Sequence, residues 1–119
     1  MHETGTVTAS DTLGLGRAAI ARRSWREAYQ LFSAADADIA LESDDLEQLA
    51  LAAYLTGHND ASTQAWSRAH HEALRHNNPQ RSARNAFLLG ADLMFRGELA
   101  PAMGWIARGG RVLEGCGEC

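Results

Sequence analysis

Lysine is absent from the chain: all eleven basic residues are arginine. Arginine is the cation suited to planar ion pairs. No apolar run approaches the roughly 20 residues a membrane span requires. The opening "MHETGTVTAS" has neither the basic start nor the apolar stretch of a secretory signal, so a cytoplasmic location is expected. A formal net charge of -4 argues against broad binding to nucleic acid, which is driven by neutralising phosphates. Cysteine is confined to the closing "CGEC", where Cys116 and Cys119 have a CxxC spacing. A zinc site needs two further ligands and a redox pair belongs beside a βαβ pattern. The chain offers neither a second CxxC nor that pattern, and no metal or cofactor is expected.

Proline occurs twice, and alternating strand-like runs do not occur. What remains reads as helices separated by short turns, an all-α chain long enough for one domain. Six segments are predicted, over 11–22, 25–38, 44–56, 60–76, 79–96 and 99–114. Ser24 with Glu27, and Asp44 with Glu47, fit capping boxes, and Asn59 or Asp60 suits the start of the fourth helix. Pro79 and Pro101 fall where a first turn tolerates a missing N–H; Gly57 and Gly97 fall where a helix should close. Residues 1–10 are polar and aperiodic, and are expected to be disordered.

The chain also resembles itself. A shift of 34 residues carries Leu15, Ala19, Ala28, Phe32 and Ala35 onto Leu49, Ala53, Ser62, Trp66 and Ala69. A further shift of 40 carries Leu49, Ala50, Gly57, Trp66 and Ala69 onto Leu89, Gly90, Gly97, Ile106 and Gly109, with Ser62 landing on Ala102. The third copy therefore holds six extra residues, placed most simply around "RHNNPQ". Each unit is expected to be a helical hairpin. Small residues (Gly16, Ala50, Gly90; Ala28, Ser62, Ala102) would let its helices approach, while Phe32, Trp66 and Ile106 fill the space towards the next unit.

The period and the paired helices resemble the tetratricopeptide repeat. Leu15-Gly16, Leu89-Gly90, Ala28, Phe32 and Ala35 match its pattern, and Leu49-Ala50, Ser62, Trp66 and Ala69 match with small substitutions. The units are degenerate: Thr12, Leu46 and Ala86 replace the usual Trp, Ala19, Ala53 and Leu93 the usual Tyr, and no Pro follows Phe32. The resemblance implies three tetratricopeptide-like hairpins, about 11–40, 44–77 and 79–115, stacked as a short right-handed solenoid over 11–119. A closer likeness runs through "LGRAAIARRSWREAYQLFSAAD", "LALAAYLTGHNDASTQAWSRAH" and, most specifically, "FRGELAPAMGWIARGGRVLEG". These are similar to the tetratricopeptide-like region of certain bacterial LuxR-type transcription regulators. That likeness implies a regulator's sensing or scaffold region, not the part that reads DNA.

Groups arranged for catalysis are scarce. "AHHEALRH" places His70, His71, Glu72 and His76 on one helix, but adjacent histidines point about 100° apart and His71 to His76 is not an i,i+4 pair. "DADIALESDDLEQ" lacks the central Gly and terminal Glu of a calcium loop. No motif orders Ser, His and Asp as nucleophile, base and orienter, and no enzymatic activity is expected.

Binding of a protein or peptide partner is the expected activity. In proteins of this resemblance the first helix of each hairpin lines a concave groove. That implies Leu13, Arg17 and Ile20, then Glu47, Leu51, Tyr54 and Leu55, then Arg84, Phe87, Met94 and Phe95 as groove residues. Of these, Tyr54, Phe87, Met94 and Phe95 would seat an apolar or helical segment, with Arg17, Glu47 and Arg84 setting its polarity and register. A basic clamp for a terminal carboxylate is not evident in a chain without lysine. Trp105, Ile106, Val112 and Leu113 form an apolar stripe on the last helix that no seventh helix covers, predicting either a following repeat or a homodimer through the C-terminal hairpin. Two readings follow: the interaction or sensing region of a bacterial transcription regulator, or a free-standing, homodimerising adaptor.

Overall fold

The computed structural model describes residues 7–116. Among these are six α-helices and no strand: α1 (Ala9–Ala21), α2 (Trp25–Asp38), α3 (Ser43–Leu55), α4 (Asn59–Arg75), α5 (Pro79–Phe95) and α6 (Leu99–Cys116). The all-α reading holds. Residues 1–6 of the segment expected to be disordered, and Cys119 of the CxxC pair, lie outside the described residues. Within that segment, α1 begins earlier than predicted because Thr8 caps it. The Thr8 Oγ1 accepts from the Asp11 N–H at 3.0 Å, and the Asp11 carboxylate accepts from the Thr8 N–H at 3.2 Å.

The two predicted capping boxes do not form. The Ser24 hydroxyl donates to Glu27 Oε1 at 3.3 Å instead of accepting a backbone N–H, and Arg22 Nη2 donates to the same oxygen at 2.8 Å. Asp44 lies inside α3, which starts at Ser43; its carboxylate pairs with Arg81 at 2.6 Å. His58, not Asn59 or Asp60, stands at the start of α4. Charge-assisted bonds to arginine outcompete the neutral N–H groups of a first turn. Only Asn78 caps a helix beside its proline, its side chain accepting from the Arg81 N–H at 3.2 Å.

One turn geometry closes four of the helices. Arg23, Gly57, Asn77 and Gly97 adopt positive φ of 60°, 82°, 57° and 82°. The residue after each donates its N–H five residues back, to Ala19, Ala53, Ala73 and Leu93, at 2.8 to 2.9 Å. The two glycines were predicted; Arg23 and Asn77 do the same work at the usual steric disadvantage of a side chain.

The six extra residues do not make a loop. Taking the 34- and 40-residue offsets, α4 extends past its counterpart by residues 73–75 and α5 begins before its counterpart by residues 79–82, and the join between them tightens. The expansion is absorbed as helix.

Each helix packs on its neighbour in the chain, and α1 also reaches α3. Twelve of the nineteen buried apolar residues are alanine, so backbones approach closely and a few large side chains fill what remains. A Cβ added at Gly16 would stand 3.2 Å from the Phe32 ring, and one at Gly90 would stand 2.7 Å from Ile106 Cγ1 and 3.1 Å from the Ala102 carbonyl. In the middle pair the Ser62 hydroxyl donates to the Ala50 carbonyl at 2.9 Å. The same kind of contact thus recurs between α1 and α2, α3 and α4, and α5 and α6. Trp66 touches both the larger core of α1 to α4 and the smaller core of Leu89, Leu93 and Ala102.

Candidate functional site

Two depressions open between the helices, one apolar and one polar. The apolar one, a cavity of about 220 Å³, is lined by Leu51 and Tyr54 of α3, Leu88, Ala91, Asp92 and Phe95 of α5, and Trp66 of α4. Its mouth is aromatic, since Tyr54 is exposed and Phe95 is 83% exposed. The polar one, about 300 Å³, is lined by Arg17, Ile20, Asp44, Asp45, Gln48 and Arg81.

The groove charges are occupied. Arg17 donates through Nε and Nη2 to buried Asp45 at 3.0 and 2.7 Å, joining α1 to α3, and this bond raises the Arg17 pKa. Glu47 accepts from Arg81 at 2.7 and 2.9 Å and from Arg84 at 3.0 Å, joining α3 to α5. Burial works to raise the Glu47 pKa, but the Arg81 hydrogen bonds and the charges of Arg81 and Arg84 outweigh it and hold the carboxyl below its ordinary value. These side chains brace the helices that wall the cavity.

Asp92 is the exception. It is 6% exposed, neither carboxylate oxygen has a hydrogen-bond partner, and Arg96 Nη2 stands 3.7 Å away. Burial raises its pKa, with the Arg96 charge acting in the opposite sense. Arg96 itself hydrogen-bonds to the Thr63 hydroxyl.

Of the groove residues expected from the sequence, Tyr54 and Phe95 line the apolar cavity, and so does Leu51 from the wider set. Phe87 and Met94 do not. The Phe87 ring packs over Gly109 of α6, where an added Cβ would lie 2.7 Å from it, because its place on the helix turns it towards α6. Leu88, Asp92 and Trp66 were missed. A signal for Asp92 existed: Asn85, Leu89 and Asp92 follow helical spacing on the buried side of α5, and a carboxylate in such a stripe is unusual.

No protein-family model, curated protein or solved structure matches this chain. The site therefore stands on its geometry.

The stripe expected to lie open on α6 is half-buried. Trp105 meets His70 edge-on at 5.4 Å, and Ile106 packs against Gly90. Val112 and Leu113 are likewise partly covered. His70 of α4 and Gly90 of α5 supply part of that cover. The most exposed large apolar side chains of α5 and α6 are Phe95, with Leu99 at 59% and Met103 at 57% exposure.

The histidines separate only in part: the His70 and His71 rings meet edge-on with centroids 4.9 Å apart, against the expectation from their spacing, while His76 follows the end of α4. His70 is buried, with Nδ1 2.8 Å from the Ser82 carbonyl; His71 Nδ1 lies 2.9 Å from the Ser67 carbonyl, and His76 Nε2 lies 3.0 Å from Glu72. Among the described residues no three His, Cys, Asp or Glu side chains gather as metal ligands, and no helix is long and apolar enough to cross a membrane.

Proposed function

We propose that the chain is the protein-interaction or sensing region of a bacterial transcription regulator, its helices ordered as three tetratricopeptide-like hairpins in a short right-handed solenoid. Support for the hairpin order comes from the small-residue contacts that recur at the sequence offsets of 34 and 40. Support for a binding role comes from one observation above the rest: an apolar cavity with exposed aromatics between α3 and α5, walled by helices that ion pairs brace. A partner segment, from another protein or another domain of the regulator, docks an apolar side chain between Tyr54 and Phe95. Direct contact with nucleic acid is left to other domains, consistent with the net charge of -4.

The test has two arms. An antibody to this chain should detect, in its own cell, a product several times heavier than 12.9 kDa. In that product, Tyr54→Ala with Phe95→Ala should abolish the transcriptional response while leaving helicity unchanged. A native product of about 12.9 kDa would overturn the regulator reading and favour the second one, a free-standing adaptor in the same compartment. That alternative draws on exposed Phe95, Leu99 and Met103 as a self-association surface. Light scattering that finds only monomer at high concentration would remove it.

A further inference from the structure

The apolar cavity lies where two helices end. Asp44 and Glu47, in the first half of α3, pair with Arg81 in the first turn of α5, while Leu51 and Tyr54 near the end of α3 share the cavity with Ala91, Asp92 and Phe95 near the end of α5. The two helices therefore run side by side in one direction, and both carbonyl ends, each with partial negative charge, lie beside the cavity. Neither helix has a basic residue in its last turn.

Fixed charge adds to these dipoles. Asp92 lines the cavity with neither carboxylate oxygen hydrogen-bonded, and Arg96 is shared between it and Glu98, at 3.7 Å from each. One cation between two carboxylates leaves a negative excess, and burial of Asp92 keeps its field poorly screened. The rest of the lining is apolar, and three of its side chains are aromatic: Tyr54 of α3, Trp66 of α4 and Phe95 of α5. Aromatic faces attract cations.

Such surroundings select a cation that needs no hydrogen bond. The Asp92 oxygens are enclosed, so a bound group feels their charge without touching them. A primary ammonium would leave most of its three N–H donors unpaired against these walls. A quaternary ammonium has no such donor and presents methyl groups to the rings. At about 220 Å³ the space is smaller than the roughly 300–1,000 Å³ of pockets that hold drug-sized molecules, which suits a compact head group.

We infer that the cavity binds a small quaternary ammonium compound, its head group held by Tyr54, Trp66 and Phe95 and drawn in by the charge of Asp92. The inference rests on the reading of this cavity as the binding site and gives that site its sensing role.

Calorimetry on the whole chain compares choline with dimethylbutanol, its uncharged isostere in which carbon replaces nitrogen, and with ethanolamine, its primary-ammonium counterpart. One saturable site is expected for choline, with both comparison compounds weaker by about tenfold or more. Phe95→Leu, at a position 83% exposed, keeps apolar bulk without the ring and should weaken choline by about fivefold with the thermal midpoint unchanged. Asp92→Asn should weaken choline and leave dimethylbutanol unaffected. The inference is overturned if choline does not saturate by about 10 mM, if either comparison compound binds as tightly, or if both variants bind choline like the parent. Failure of the docking reading looks different: choline saturates its site, yet the transcriptional response survives Tyr54→Ala with Phe95→Ala. A response lost in that double variant without choline binding to the parent sinks this inference alone.

Discussion

Burial shifts His70 and Asp92 in opposite directions, and each leaves its mark on stability against pH. The folded His70 pKa lies below 6.5, so the unfolded chain takes up the proton first as pH falls. Stability from His70 is fully present above 6.5 and is lost as pH drops from there towards the folded value. The thermal midpoint should therefore fall between about pH 7.5 and pH 5.5, and His70→Gln should remove part of that fall. Asp92 carries the reverse sign. Its folded pKa lies above 3.8, so its contribution is present below that value and is lost as pH rises through the raised one. Asp92→Asn should melt higher than the parent at neutral pH, with the difference closing near pH 4; a lower midpoint at neutral pH would show that Arg96 compensates the buried charge fully.

At the scale of the element, glycine placement separates contact from convenience. Gly90 faces Ile106 and the Ala102 carbonyl, so Gly90→Ala should destabilise by about 1–3 kcal/mol through overpacking. Gly104, in the same pair of helices, has open space around its Cβ position, and Gly104→Ala should stabilise by about 1 kcal/mol through helix propensity alone. Chemical denaturation of the two variants decides this, and equal shifts would show that α5 and α6 are not held by close approach. The helices were legible because their cues are local: apolar spacing, Pro79 at a start, Gly57 and Gly97 at ends. The capping of α3 was not, because the partners that draw Asp44 and Glu47 away lie on α5, more than thirty residues distant in sequence. The same distance hid the cavity. Tyr54 could be placed on a helix from its spacing, but that Asp92 and Trp66 meet beside it depends on how α3, α4 and α5 pack. The expansion around "RHNNPQ" was visible as a count and invisible as helix, since Asn77 takes the turn conformation usually left to glycine.

For the whole molecule, Trp66 is the residue that joins one core to the other. Trp66→Ala should cost about 3 kcal/mol and separate the unfolding of α1 to α3 from that of α5 and α6. With Trp25→Phe added so that Trp105 alone fluoresces, circular dichroism and fluorescence followed in the same urea titration should then give different midpoints, where the Trp25→Phe chain that keeps Trp66 gives one. Coincident midpoints would place the coupling elsewhere, in the Glu47 pairs with Arg81 and Arg84. The pattern of packing has a last consequence. Since each helix leans chiefly on those beside it in the chain, contacts span short sequence distances and few loops need closing before they form. Folding should be fast, and it can start on the ribosome: once α2 has emerged, α1 has most of its partners, and the chain is assembled in the order in which it is made.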